Sequence, residues 1–251
     1  MPPNRHQPSS RPEERGPSVP WQMGPYVPSF EGEVLDLINA DRLPGQPVCT
    51  QGMLARALSG NSPIDGGWWG ELDRIAVNVA RDTTGAAAGV ISFAYRPRDD
   101  TGLVLWLHAR ERRAVVEALI DHALTELRST TAIDAFDFAT ALGLGLEALP
   151  VKHRFVTHSV LLDRGFEAED LWRYMHRDLP AELPTEADAQ VMPSDDKDGW
   201  KIEINRGAEV VAEAVVGSPV DGIGVLWWIE VQPRYEAGAS GNGCWARHVT
   251  P

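Results

Sequence analysis

Residues 222–241 read GIGVLWWIEVQPRYEAGASG. The apolar run Ile223, Val225, Leu226, Trp227, Trp228 and Ile229 reads as a buried strand, and Val-Gln-Pro-Arg-Tyr carries it into a loop of small residues. A near copy of the strand lies upstream, GLVLWLHA starting at Gly102. Working outward from these two runs gives the organisation of the chain.

Ahead of the upstream copy, alternating apolar segments at residues 73–80, 88–95 and 102–107 are separated by the turn pairs Thr84-Gly85 and Asp99-Asp100, which predicts an antiparallel meander. Helical spacing covers residues 30–40, with Leu35, Leu37 and Ile38 near one face, and a second short helix is expected at 50–58. A longer helix at about 110–127 carries Val115, Leu119, Ala123 and Leu127 on one stripe. A buried strand at 132–138, a helix ending at Asp163-Arg164, the stop signal Gly165-Phe166 and a strand at 171–175 complete the order. Downstream the meander recurs: 200–205 parallels the first strand, 209–216 the second, and the 224 run the third. The fold class is α/β of the α+β kind, a mixed, mainly antiparallel sheet flanked by helices and followed by a partial second copy. The expected divisions are a disordered Pro- and Ser-rich arm at 1–28, a first domain at 29–179, a linker rich in Pro and acidic residues at 180–197, and the partial copy at 198–251.

Strand order and the 222–241 segment together resemble the GCN5-related N-acetyltransferases, the GNAT superfamily, in tandem form. In that family the strand is followed by Arg/Gln-Gly-x-Gly-x-Gly/Ala and a helix whose first N–H groups hold the pyrophosphate of coenzyme A. Glycines let such a loop approach phosphate closely, and the helix N-terminus supplies unpaired donors. Here the loop is Glu236-Ala237-Gly238-Ala239-Ser240-Gly241, so Glu stands in the Arg/Gln position and Gly241 falls in register. Written in GC-rich synonymous codons with one C restored before Glu236, the same bases read RGGGIGQRLLGAARD, a family-like loop and the start of an amphipathic helix. A shifted reading frame after Tyr235 is therefore expected.

The resemblance implies an acetyl-CoA-dependent N-acyltransferase, with acetyl-CoA or another acyl-CoA as co-substrate, no metal, and a small-molecule or peptide amine as acceptor. It implies main-chain contacts to the pantetheine amides from Ile229 and Val231, and cofactor contacts from Gln232, Gly238 and Gly241. Glu230, the ionisable side chain on that strand, is the candidate general base acting through a water. In the first copy the strand passes to the helix through Leu107-His108-Ala109-Arg110-Glu111-Arg112-Arg113-Ala114 without a glycine. Arg110, Arg112 and Arg113 are the candidate anion contacts there, against the plainer reading of a solvated first helical turn with Glu111 pairing locally. The family's leaving-group acid is a Tyr four residues before the Gly-Phe turn, and this chain has Leu161 at that position. The first copy thus resembles a degenerate, non-catalytic domain, and the alternative function for the chain is a non-catalytic binding or scaffold module.

A formal charge of −13 disfavours a nucleic-acid partner, which needs clustered Lys and Arg. No apolar run approaches the roughly 18 residues of a membrane span, and the first 20 residues lack the apolar core of a secretory signal. The two cysteines, Cys49 and Cys244, fit a reducing cytoplasm, and Cys49 reads as a small buried hydrophobe. Gly143-Leu144-Gly145-Leu146-Glu147-Ala148 fits a dinucleotide-loop pattern, but Pro150 cuts short any phosphate-binding helix. The open strand at 225–231 is expected to favour self-association. Sequencing the DNA beyond the Tyr235 codon should show the alternative frame running on for roughly 70–100 residues, the remainder an ordinary domain needs. An immediate stop in that frame would overturn the expectation.

Overall fold

A computed structural model describes residues 21–62, 66–168, 174–179, 189–195 and 198–236. Its first unit opens with β1 (Gln22–Pro25), then α1 (Glu31–Ala40), α2 (Gln51–Leu58) and α3 (Gly66–Trp69). The meander β2 (Asp73–Arg81), β3 (Ala87–Arg96) and β4 (Thr101–His108) leads to α4 (Arg113–Glu126), β5 (Ala132–Ala135) and α5 (Phe155–Asp163). A second sheet follows with β6 (Ala189–Pro193), β7 (Gly199–Arg206), β8 (Glu209–Gly217) and β9 (Leu226–Val231), closed by α6 (Pro233–Glu236). The architecture is mixed α/β with two mainly antiparallel sheets, of order β1-β2-β3-β4-β5 and β6-β7-β8-β9. The β4–β5 pair is parallel and the other pairs are antiparallel.

Local chemistry accounts for the element ends. The Thr50 hydroxyl accepts from the Met53 N–H and caps α2. The Asp82 carboxylate accepts from the Thr84 hydroxyl and from the backbone N–H groups of Thr84 and Ala86, which turns β2 into β3. Helix α4 buries Val115, Val116, Leu119, Ile120 and Ala123 on one face of the first sheet, against Ile91, Val104 and Leu107. The other face is covered by α1 and α2 through Val34, Leu37, Ile38, Met53 and Leu54. The buried stripe of α1 is therefore Val34, Leu37 and Ile38, with Leu35 at its margin.

Several expected boundaries shift. The arm read as disordered to residue 28 contributes β1, whose residues Gln22 to Pro25 pair with Arg81 to Asn78. The linker read as 180–197 contains β6, an edge strand on β7. Both strands are short and end in proline, QMGP and AQVMP, which is tolerated at a sheet edge and hides them from an alternation test. Helix α4 starts at Arg113 instead of 110, because Arg110 and Glu111 both hold left-handed φ of 51°. The strand expected at 171–175 lies partly outside the described residues, and Tyr174 and Met175 are in no strand.

The two sheets share a local irregularity. In the first, Ser92 faces Trp106 and Phe93 faces Val104, so Leu105 is the extra residue of a bulge in β4. In the second, Val215 faces Trp228 and Val216 faces Leu226, so Trp227 is the extra residue in β9. Aligning GLVLWLHA with GVLWWIEV puts Trp227 on Leu105.

Gly89 sets how closely α4 approaches β3. A Cβ there would lie 2.6 Å from Val115 Cγ1, 2.9 Å from Leu119 Cδ1 and 3.2 Å from the His108 carbonyl oxygen. Gly89→Val should cost about 1–3 kcal/mol through overpacking, read as a lower urea midpoint at unchanged slope. Unchanged stability would mean that the helix can lift without loss.

Candidate functional site

The helical period of α1 does not stop at its apolar residues. Val34, Leu37 and Ile38 define the face, and Asp41, four residues beyond Leu37 and three beyond Ile38, falls on the same side. The period thus drives a carboxylate into the core at 5% exposure. Its Oδ2 accepts from the backbone N–H groups of Ala109 at 2.8 Å and Arg110 at 3.2 Å, and lies 3.5 Å from both His108 Nδ1 and an Arg154 nitrogen. The two left-handed residues after Ala109 curl the strand-to-helix loop so that successive N–H groups converge on this oxygen, an anion-binding nest filled from within the chain.

Arg154, 4% exposed, stands just before α5 and holds the other side of the site. Its guanidinium donates to the Leu107 carbonyl at 2.8 Å, to Glu111 Oε1 at 2.7 Å and to the Thr157 hydroxyl at 3.1 Å. Glu111 in turn caps α5, accepting from the N–H groups of Val156 at 2.7 Å and Thr157 at 3.0 Å and from the Thr157 hydroxyl at 2.6 Å. Burial pushes the Asp41 carboxyl up, but His108, the Arg154 cation and the Ala109 N–H outweigh it and hold it below the usual range. Burial likewise opposes ionisation of Glu111, and Thr157 and Arg154 prevail, again leaving the carboxyl low. For His108 burial dominates and keeps the imidazole neutral below its ordinary titration range.

Beside this network the first sheet opens. Strands β4 and β5 pair as far as Val104 and Ala135, and the Phe136 N–H to the Val104 carbonyl is the next bond. Phe136 then turns away with φ 59° while β4 continues to His108 paired with β3 only. The gap is a small cleft, about 90 Å³ of internal space with an open mouth. Leu105, Trp106, Phe138, Leu142 and Leu146 give it apolar walls. Its far wall is pinned by Gln46, which accepts from the Leu144 N–H at 2.7 Å and donates to the Leu144 carbonyl at 2.5 Å and to the Tyr174 hydroxyl at 2.8 Å. Trp69 adds a bond to the Ala139 carbonyl at 3.0 Å. On its outer side the same wall meets the second sheet: a Cβ on Gly145 would lie 2.9 Å from Val225 Cγ1 and 3.9 Å from the Trp227 ring.

The residues singled out from sequence distribute unevenly. Arg110, Arg112 and Arg113 do not converge: Arg112 donates to the Ala88 carbonyl and lies over Trp21, Arg113 pairs with Asp163 and Glu117, and Arg110 gives its backbone N–H to Asp41. Glu111 turns to α5 instead of pairing within its own turn. Leu161 is buried against the α4 core. Cys49 is buried, its thiol pushed up to about 11 by burial. On β9, Ile229, Glu230 and Val231 are exposed, and Glu230 faces Glu213 across the pair. Gln232 sends its backbone N–H to Val211 and its side-chain amide to the Val210 carbonyl, so it is tied to β8. Antiparallel bonding alternates along a strand, so Trp228 and Glu230 also bond β8, and the main-chain groups of Ile229 and Val231 point to the open edge. Gly238 and Gly241 lie outside the described residues. Asp41, His108, Arg154 and Trp106 escaped the sequence reading. The one available signal was an acidic residue continuing the apolar period of α1. Neither the family models nor the curated proteins compared with this chain gave a match.

Arg154→Ala should cost about 3–5 kcal/mol, because the buried Asp41 and the partly buried Glu111 lose their cation; chemical unfolding checks this. A loss under about 1 kcal/mol would mean that Asp41 and Glu111 are held by the backbone alone. Acidification has a defined sign. All three groups are depressed in the folded chain, so the unfolded chain binds more protons as pH falls. The His108 contribution is complete above its ordinary value near 6.5 and is lost below it, followed by the carboxylates below about 4. The urea midpoint should therefore fall from pH 7 to 5, and His108→Gln should flatten that interval.

Proposed function

We propose that this chain is of the acetyl-CoA-dependent N-acyltransferase kind, tandem and GNAT-like, with a first unit that is a non-catalytic module and a second that carries the cofactor-binding strand. The observation that supports it is a contrast between aligned positions. Leu107 and Ala109 match Ile229 and Val231 in the repeat. In the first unit the Leu107 carbonyl is engaged by Arg154 and the Ala109 N–H by Asp41. In the second, the corresponding groups face the side of β9 on which no strand pairs among the described residues. The bulges at Leu105 and Trp227 add to the case for a repeat.

Acetyl-CoA supplies an activated thioester. Two main-chain positions spaced by two residues on an edge strand suit the amides of an extended pantetheine arm, as in strand addition. Glu230 between them is exposed and suited to relay a proton through water from an attacking amine. The first unit fits the cofactor poorly: Asp41 already supplies the negative charge that its loop would offer to a phosphate, and Leu161 has no proton to give. The alternative, a binding or scaffold module throughout, is favoured by that same plugged loop.

Calorimetric titration with acetyl-CoA tests the reading. Weak binding is expected, a Kd of roughly 0.1–1 mM or about −4 to −5.5 kcal/mol, lost in Ile229→Pro and kept in Arg110→Ala. Binding that survives Ile229→Pro and disappears in Arg110→Ala would assign the cofactor to the first unit, and no binding to either protein would favour the scaffold reading.

A further inference from the structure

A residue lining the cleft between β4 and the 136–149 segment carries a donor that the fold does not use. Trp106 is 2% exposed and lines the cleft, and its indole Nε1 is buried without a hydrogen-bond partner. A tryptophan N–H can only donate, so what satisfies it must be an acceptor. Leaving it unmade costs on the order of the desolvation of a buried polar group. Ser92 Oγ, cross-strand from Trp106, and His108 Nδ1, which also lines the cleft 3.5 Å from Asp41, are likewise without a hydrogen-bond partner, while the other polar groups around the cleft are engaged. Gln46 is saturated by Leu144 and Tyr174, and the Thr140 hydroxyl accepts from the Leu142 N–H. Asp41 and Arg154 are committed to each other, to the backbone and to Glu111. Arg42 at the mouth is exposed and donates to the Gln46 carbonyl. The lining of the cleft therefore offers apolar walls, the unsatisfied Trp106 N–H and a His108 imidazole that burial keeps neutral, with no uncommitted buried cation to offset the desolvation of an anion.

We propose that this cleft binds a small uncharged molecule that lays an apolar body between Leu105, Trp106, Phe138 and Leu146 and presents a carbonyl-type acceptor to the Trp106 indole N–H. The inference rests on the first unit being a non-catalytic module and assigns that module a ligand class. An amide of an aryl or alkyl amine has the required chemistry: one acceptor, no charge and an apolar remainder. A carboxylate of the same size has the acceptor but brings a charge that the buried groups cannot pair.

The test uses the whole chain and two matched probes, N-benzylacetamide and phenylacetate, titrated by calorimetry or ligand-observed NMR. N-benzylacetamide should bind at least tenfold more tightly than phenylacetate. Trp106→Phe, which keeps the ring and removes the donor, should weaken the amide about fivefold, the equivalent of one hydrogen bond. Leu146→Trp, which fills the cleft from the opposite wall, should abolish binding and serves if the Trp106 variant does not fold. Equal or tighter binding of phenylacetate would assign the site to Arg42 and overturn the proposal. So would amide binding indifferent to both substitutions, or no binding of the amide at all. Adding acetyl-CoA separates this idea from the functional reading beneath it. Undisturbed amide binding in saturating acetyl-CoA supports two separate sites. Displacement of the amide by acetyl-CoA overturns both ideas together. Failure of the amide alone, with acetyl-CoA binding still lost in Ile229→Pro, overturns only the ligand assignment.

Discussion

The first unit depends on a buried carboxylate–guanidinium–carboxylate chain, Asp41 to Arg154 to Glu111. Three buried or half-buried charges would be costly if any stood alone, so their joint satisfaction restricts the geometry of everything they touch. Asp41 fixes the end of α1 against the strand-to-helix loop. Arg154 fixes the exposed flank of β4 through the Leu107 carbonyl, and Glu111 fixes the start of α5. Beyond Val104, where β5 stops pairing, the end of β4 is held by β3 on one side and by these contacts on the other.

The same chain of contacts separates the two sheets in character. Both are antiparallel meanders through their first four strands, and both carry a bulge in the fourth at aligned residues. In the first the fourth strand is buried and bordered by β5, with its loop N–H groups satisfied internally. In the second, Leu226, Trp228 and Ile229 are each about half exposed, at 52–53%. Similar strand patterns thus end differently: in the first unit the strand's flank is closed by side chains of that unit, and in the second β9 is the last strand of its sheet among the described residues.

What the sequence revealed follows the range of the interactions involved. The meander strands, α2, α4 and the end of α5 were legible because alternation, helical stripes and turn residues are local signals. Edge strands β1 and β6 were not, since four or five residues ending in proline carry too little alternation to register. The late start of α4 was hidden because no glycine marks the left-handed pair Arg110 and Glu111. Among the candidate site residues, the outward main chain of Ile229 and Val231 follows from strand phase. The buried network does not, because Asp41, His108, Glu111 and Arg154 are brought together from three separate elements with no shared spacing.

Gly145 gives the molecule a property that belongs to neither unit alone. Its lack of a side chain lets the wall of the cleft rest directly on Val225 and the Trp227 ring, next to the bulge of β9. That wall, clamped on its inner side by Gln46, is one short piece of backbone with two faces. Any occupant that shifts its inner face alters the support under β9, and any load on β9 alters the shape of the cleft. Thermodynamic linkage makes the influence reciprocal and equal in free energy. The shape of the cleft and the seating of β9 therefore share one stretch of backbone, with Gly145 as the point where the two units bear on each other.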